Sequence, residues 1–368
     1  MRKLLKWAAL AIIAAMTLII ARDPPSWQAR VLTSLFGTSE LPASFYTPRA
    51  TVPGSNQPPP PRESPATELL DANALQSAAD YALAHKSRAL VVTRHGYIVF
   101  ERYWQGSNLE TVVNSQGLGR VIAALATGAA ISERKIGWPD EPLGYLLPEW
   151  SRDPRGAITV RNLLQLSSGL DSGRSLVALP GRSWRDQSVD SDLLAETLQR
   201  ATGTPYAEYA SRSIWRRIGA GDASIWLGRG GQPHADDGFF ARQGDWLRVG
   251  ELFLQKGNYQ GDEILTPRWV PELLRPTKAN PGFGSYVRLS TFTATAQYAT
   301  NDVFVIEGRG NRLWLVPSLQ LAILRTGGPP DPDWDEARIP NLIIRSARDY
   351  VPPAARPGAD LRQLVPNH

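Results

Sequence analysis

Asn114-Ser115-Gln116-Gly117-Leu118-Gly119-Arg120-Val121-Ile122-Ala123-Ala124-Leu125-Ala126-Thr127-Gly128 is the stretch whose reading decides the fold. Two glycines open it and an apolar run follows, so it reads as the start of a helix carrying one early charge, Arg120. The free N–H groups at such a start suit an anion. Gly117 has no side chain, and the guanidinium of Arg120 does not give up its proton at any usable pH.

Upstream of this helix, residues 89–93 and 97–103 are β-branched and aromatic runs joined by Arg94-His95-Gly96, a hairpin signal. Residues 68–84 predict an amphipathic helix. Downstream, helical stretches dominate 117–217 and return at 243–257. Strand-like runs follow at 283–289, 303–306, 313–316 and 321–324. This order predicts an α+β fold: an antiparallel sheet from both chain ends, flanked by helices, with a mostly helical region inserted.

The chain has 368 residues, 42% apolar and 20% charged, with a formal net charge of +5 and no cysteine. The basic residues are scattered among acids, so no nucleic-acid partner is expected. The absence of cysteine excludes disulfides and thiolate catalysis. His85, His95, His234 and His368 form no metal-binding spacing, and no cofactor is implied. His234 falls in a polar loop with Asp236 and Asp237, expected at the surface, with a place bordering the pocket as the alternative.

Arg2, Lys3 and Lys6 precede an apolar run from Trp7 to Ala21 with no small-residue cleavage site after it. Residues 1–21 therefore predict a signal anchor that holds the protein on the inner membrane, with the rest of the chain in the periplasm. A cleaved, secreted form is the alternative. Residues 22–66, with Pro58-Pro59-Pro60-Pro61, predict an extended linker. The main domain is expected over 67–350 and a Pro-rich tail over 351–368.

Several segments resemble the serine β-lactamase, penicillin-binding protein and esterase superfamily, in the branch of class C β-lactamases, esterases and 6-aminohexanoate-dimer hydrolases. They are the hairpin, Glu133-Arg134-Lys135-Ile136 with Pro148-Glu149-Trp150, and Ile158-Thr159-Val160-Arg161-Asn162-Leu163-Leu164-Gln165-Leu166-Ser167-Ser168-Gly169-Leu170. Residues 239–250 and Gly308-Arg309-Gly310-Asn311-Arg312 continue the series in family order. The resemblance implies a β-lactamase/transpeptidase-like fold and a site at the 114–128 helix.

In that family the helix begins Ser-x-x-Lys, with the serine as acylated nucleophile and the lysine helping to take its proton. Those positions fall here on Gly117 and Arg120. The family's Tyr-x-Asn or Tyr-x-Ser falls on Asp186-Gln187-Ser188, after Pro180-Gly181. Lysine-to-arginine and tyrosine-to-aspartate are charge-complementary changes, so an Arg120–Asp186 salt bridge across the site is expected. Gly308 and Gly310 would line the glycine-rich strand bordering the site, or form a hairpin turn, and Trp184 would stand beside the pocket. Ser167-Ser168-Gly169 is a structural turn.

The reading that follows is a family scaffold without acyl-enzyme chemistry, binding a small-molecule or peptidoglycan-like ligand through Gly117, Arg120, Asp186, Ser188, Trp184, Gly308 and Gly310. Two alternatives stand beside it. One is an active ester or amide hydrolase with Ser115 as relocated nucleophile, although Ser115 reads first as a cap or turn serine. The other is a structural module that binds a partner.

Overall fold

The computed structural model describes residues 46–228, 230–290 and 297–352. The expected membrane anchor lies outside them. No helix among the described residues is long and apolar enough to cross a membrane.

In chain order the strands are β1 (Arg49–Val52), β2 (Ser87–Arg94), β3 (Tyr97–Tyr103), β4 (Val112–Asn114), β5 (Ala223–Trp226) and β6 (Phe239–Arg242). A small hairpin, β7 (Asn258–Tyr259) and β8 (Asp262–Glu263), precedes β9 (Arg288–Leu289), β10 (Phe304–Glu307), β11 (Arg312–Val316) and β12 (Leu321–Gly327). The longer helices are α1 (Ala72–Ala84), α2 (Arg120–Ser132), α3 (Ser188–Thr202), α4 (Asp245–Leu254) and α5 (Arg338–Ser346).

The main sheet is antiparallel, in the order β3-β2-β12-β11-β10-β9, so the early hairpin joins the four late strands through the β2–β12 pair. Side chains alternate across it, as a period of two requires. Ala89, Val91, Ala322 and Leu324 enter a core shared with α2 and α4, while Leu90, Val92, Leu321 and Ile323 enter a second core under α1 and α5. Helices on both faces explain why β2 and β12 are buried nearly throughout. The hairpin turn has φ of 49° at His95 and 82° at Gly96. Both are positive, the geometry that matches the twist of paired strands. This is the α+β architecture expected.

Three expectations need correction. The first helix begins at Ala72 rather than 68, because the Asp71 carboxylate accepts from the N–H groups of Asn73 and Ala74 and fixes the start there. In the 283–289 run only Arg288–Leu289 forms a strand, β9, and Phe283 adds an isolated bridge to Arg288. The expected linker is docked from Tyr46 onward: β1 pairs with β5 along its whole length, the Ile98 N–H donates to Pro61 O at 2.8 Å, and buried Arg248 donates to the carbonyls of Gln57 and Pro58 at 2.8 and 2.5 Å. Proline removes donors from a segment but leaves its carbonyls, and here other elements supply the donors.

β1 completes a second antiparallel sheet, ordered β1-β5-β6-β4. Its last strand, β4, ends at Asn114 and feeds the chain into α2. The site therefore lies where the two sheets meet the start of α2.

Candidate active site

Gln116 takes the left-handed conformation, φ 48°, and turns the chain from β4 into α2. No side chain caps the helix, whose N-cap is Gly119. An added Cβ at Gly119 would stand 2.6 Å from Ala235 O and 2.8 Å from Phe239 Cβ, so the 235–239 segment lies directly against the helix start. Val121 to Ala130 are all buried, which makes α2 the central helix of the domain.

Gly117 faces the end of β10 at equally close range. A Cβ there would lie 2.5 Å from Glu307 O and 3.0 Å from Gly308 Cα. The converse holds at Gly308, where a Cβ would come within 2.9 Å of Gly117 N. The turn between β10 and β11 is stitched to the helix entry. The Gly310 N–H donates to Gln116 Oε1 at 2.9 Å, and Asn311 Nδ2 donates to the carbonyls of Asn114 and Ser115 at 3.1 and 3.2 Å.

Arg120 forms the ion pair with Asp186, Nη1 to Oδ1 at 2.5 Å. It also donates through Nε to Asp236, which no sequence signal had joined to it. Burial works against the guanidinium's charge, but Asp236 and Asp186 outweigh it and hold its pKa above the ordinary value. The Asp236 side chain is 15% exposed and that of Asp186 49%. Burial raises the Asp236 carboxyl to about 6 against the pull of Arg120.

The 234–237 loop is part of this arrangement rather than a free surface loop. The His234 ring stacks on Trp226, centroids 3.8 Å apart, and its Nδ1 lies 3.1 Å from Asp192 Oδ2 on α3. The Asp236 N–H donates to the other oxygen of Asp192 at 3.3 Å. Burial raises the Asp192 carboxyl in turn. The loop presents Asp236 to Arg120 because α3 holds it from behind. A pair of acids just ahead of the apolar β6 strand was the one trace of this in the sequence.

The other candidates divide. Gly117, Arg120, Asp186, Ser188 and Gly308 all line one cleft of about 1080 Å³. Ser188 is the exposed first residue of α3. Gly310 is not on the cleft wall: a Cβ there would meet Gly327 O at 2.2 Å, so it is a packing glycine in the turn. Trp184 also lies off the cleft, half-buried with its ring 4.6 Å from that of Phe283. Ser115 is fully buried, and its Oγ has no hydrogen-bond partner. Its backbone forms a turn, N–H to Phe239 O and carbonyl from the Leu118 N–H, so its side chain neither caps the helix nor reaches the cleft. Ser168 holds the buried Asp190 through its hydroxyl and its N–H, as befits a structural turn.

A serine acyl transferase needs a hydroxyl and a base within hydrogen-bond reach of each other. At the start of α2, Gly117 offers no hydroxyl and the Arg120 guanidinium is bound to two acids. The arrangement can hold a ligand by charge and shape, and the cleft volume is that of small-molecule sites.

The β-lactamase family profile matches residues 73–324. The 6-aminohexanoate-dimer hydrolase of Paenarthrobacter ureafaciens is 29% identical over 288 residues, 67% of this chain and 73% of that protein. Among solved structures, a Bacillus anthracis protein assigned as a 6-aminohexanoate-dimer hydrolase superposes with a TM-score of 0.66 at 17% identity, over 81% of this chain and 89% of its own. A β-lactamase from Mycobacterium bovis does so with a TM-score of 0.58 at 18% identity, over 72% and 94%.

Proposed function

This chain belongs to the β-lactamase family, and from that premise we propose that it binds a small ligand in the cleft without forming a serine acyl-enzyme. The observation that carries the reading is the contact at Gly117. The family's nucleophile position holds a glycine, and Glu307 O stands 2.5 Å from where a side chain would begin. The supporting observation is Arg120, bound to Asp186 and Asp236 and unable to serve as a base. What remains is a family cleft walled by fixed charges.

The relative's name supplies the test substrate. The full-length protein is incubated with the linear 6-aminohexanoate dimer and the products are quantified by mass spectrometry. The expected result is no release of 6-aminohexanoate above the uncatalysed background. Release that disappears in Ser115→Ala or Ser188→Ala would overturn the proposal.

A further inference from the structure

Across the cleft, the acids and the arginines are not matched. Asp186 and Asp236 are taken up by Arg120, and Glu307 is bound by Arg288 and lies 3.6 Å from Arg312. Asp237 stands beside Asp236 and adds to the negative charge there. Arg49 and Arg309 also line the cleft, both exposed, and neither meets a carboxylate among the described residues.

Their placement follows from the two sheets. Arg49 is on β1, opposite Trp226, and its guanidinium carbon sits 4.7 Å from the centre of the Phe240 ring. Phe240 pairs with Asn114 on the neighbouring strand, three positions before Gly117. Strands lie roughly 4.8 Å apart, so the Arg49 head stands about one strand from the helix entry. The Tyr46 ring meets Phe240 edge-on at 5.2 Å. The aromatic face holds the guanidinium in place with its donors free. Arg309 arrives from the other sheet. It sits in the turn whose Gly308 touches Gly117 and whose Gly310 is tied to Gln116.

We propose that Arg49 and Arg309 form a carboxylate-binding subsite flanking the helix entry, so that the ligand of this cleft is a small carboxylic acid. The inference rests on the ligand-binding reading above and adds the ligand's class. Guanidinium forks match a carboxylate in two parallel hydrogen bonds. Because β1 lies outside the expected domain boundary, half of this recognition comes from a segment that its composition marks as linker.

The test uses the full-length protein and thermal denaturation at constant ionic strength, with glutarate, its neutral diamide glutaramide, and inorganic phosphate. Glutarate is expected to give a saturable rise in Tm that glutaramide and phosphate do not. Arg49→Gln and Arg309→Gln should each weaken glutarate binding about ten-fold. Arg200→Gln, a surface arginine 3.6 Å from Glu149, should leave it unchanged. The inference is overturned by no effect of glutarate, by an equal effect of glutaramide, or by a glutarate effect that survives in the double variant R49Q/R309Q. Stabilisation by phosphate alone would also overturn it, by assigning the two arginines to a phosphoryl group. An equal effect of glutarate and glutaramide would still leave a ligand-binding cleft, whereas that broader reading fails on substrate turnover.

Discussion

The carbonyl oxygen of Glu307 lies 2.5 Å from the point where a Cβ on Gly117 would stand. A backbone oxygen cannot swing aside as a long side chain can, so this contact is what the glycine permits. Gly117→Ala should therefore destabilise the protein by about 1–3 kcal/mol through overpacking, and Gly117→Ser by no less. Urea denaturation midpoints measure this. A variant as stable as the parent would show that β10 can withdraw and that the contact is incidental.

Arg120 joins α2 to two loops, and its partners are unequal in burial. Arg120→Met would leave the buried carboxylate of Asp236 without its counter-charge, at a cost of about 3–5 kcal/mol. Asp186→Ala removes a half-exposed partner and should cost only about 0–1 kcal/mol. Asp236→Ala should fall well above Asp186→Ala in the same denaturation series. The reverse order would place the weight of the clamp on the wrong loop.

Burial pushes several carboxyls upward, among them Asp190 to about 7, and Asp236 and Asp245 to about 6. In the unfolded chain each titrates near 3.9. Between those values the folded state holds protons that the unfolded state has released, so stability falls as pH rises from about 4 to 7 and then levels off. Glu101 and Glu272, whose carboxyls are lowered, act in the opposite sense only below the ordinary carboxylate range. Tm should be higher at pH 5.5 than at pH 8, and Asp190→Asn should reduce that difference. A Tm that climbs across this interval would contradict the assignment.

Residues 46–58 belong to the folded domain. Deleting the chain through Pro58 removes β1 from its sheet and two carbonyl acceptors from buried Arg248. A chain starting at Pro59 should lose about 3 kcal/mol or more relative to one starting at Tyr46. Equal unfolding midpoints would return this segment to the status of a linker.

What the sequence disclosed and what it hid follow from the range of the interactions. β2, β3, β11 and β12 are each five to eight residues long and rich in branched and aromatic side chains, so their pattern is local and readable. The second sheet is built from strands of three or four residues, too short to show a period. The proline run marks a local backbone preference but does not show where its carbonyls are met. Gly117, Arg120 and Asp186, legible through motif positions, line one cleft with Ser188 and Gly308. Trp184 and Gly310 were carried along by their neighbours, although their own side chains or backbones pack elsewhere. The pairing of Asp236 with Arg120 is not legible, because 116 positions separate the two and it depends on Asp192 holding the loop.

The claim that no serine of this cleft is acylated is tested most directly by intact-mass measurement of the full-length protein after prolonged exposure to a fluorophosphonate. The account predicts an unchanged mass, because position 117 is glycine and Ser115 is buried without a base. A stoichiometric adduct mapped to Ser115 or Ser188 would contradict it.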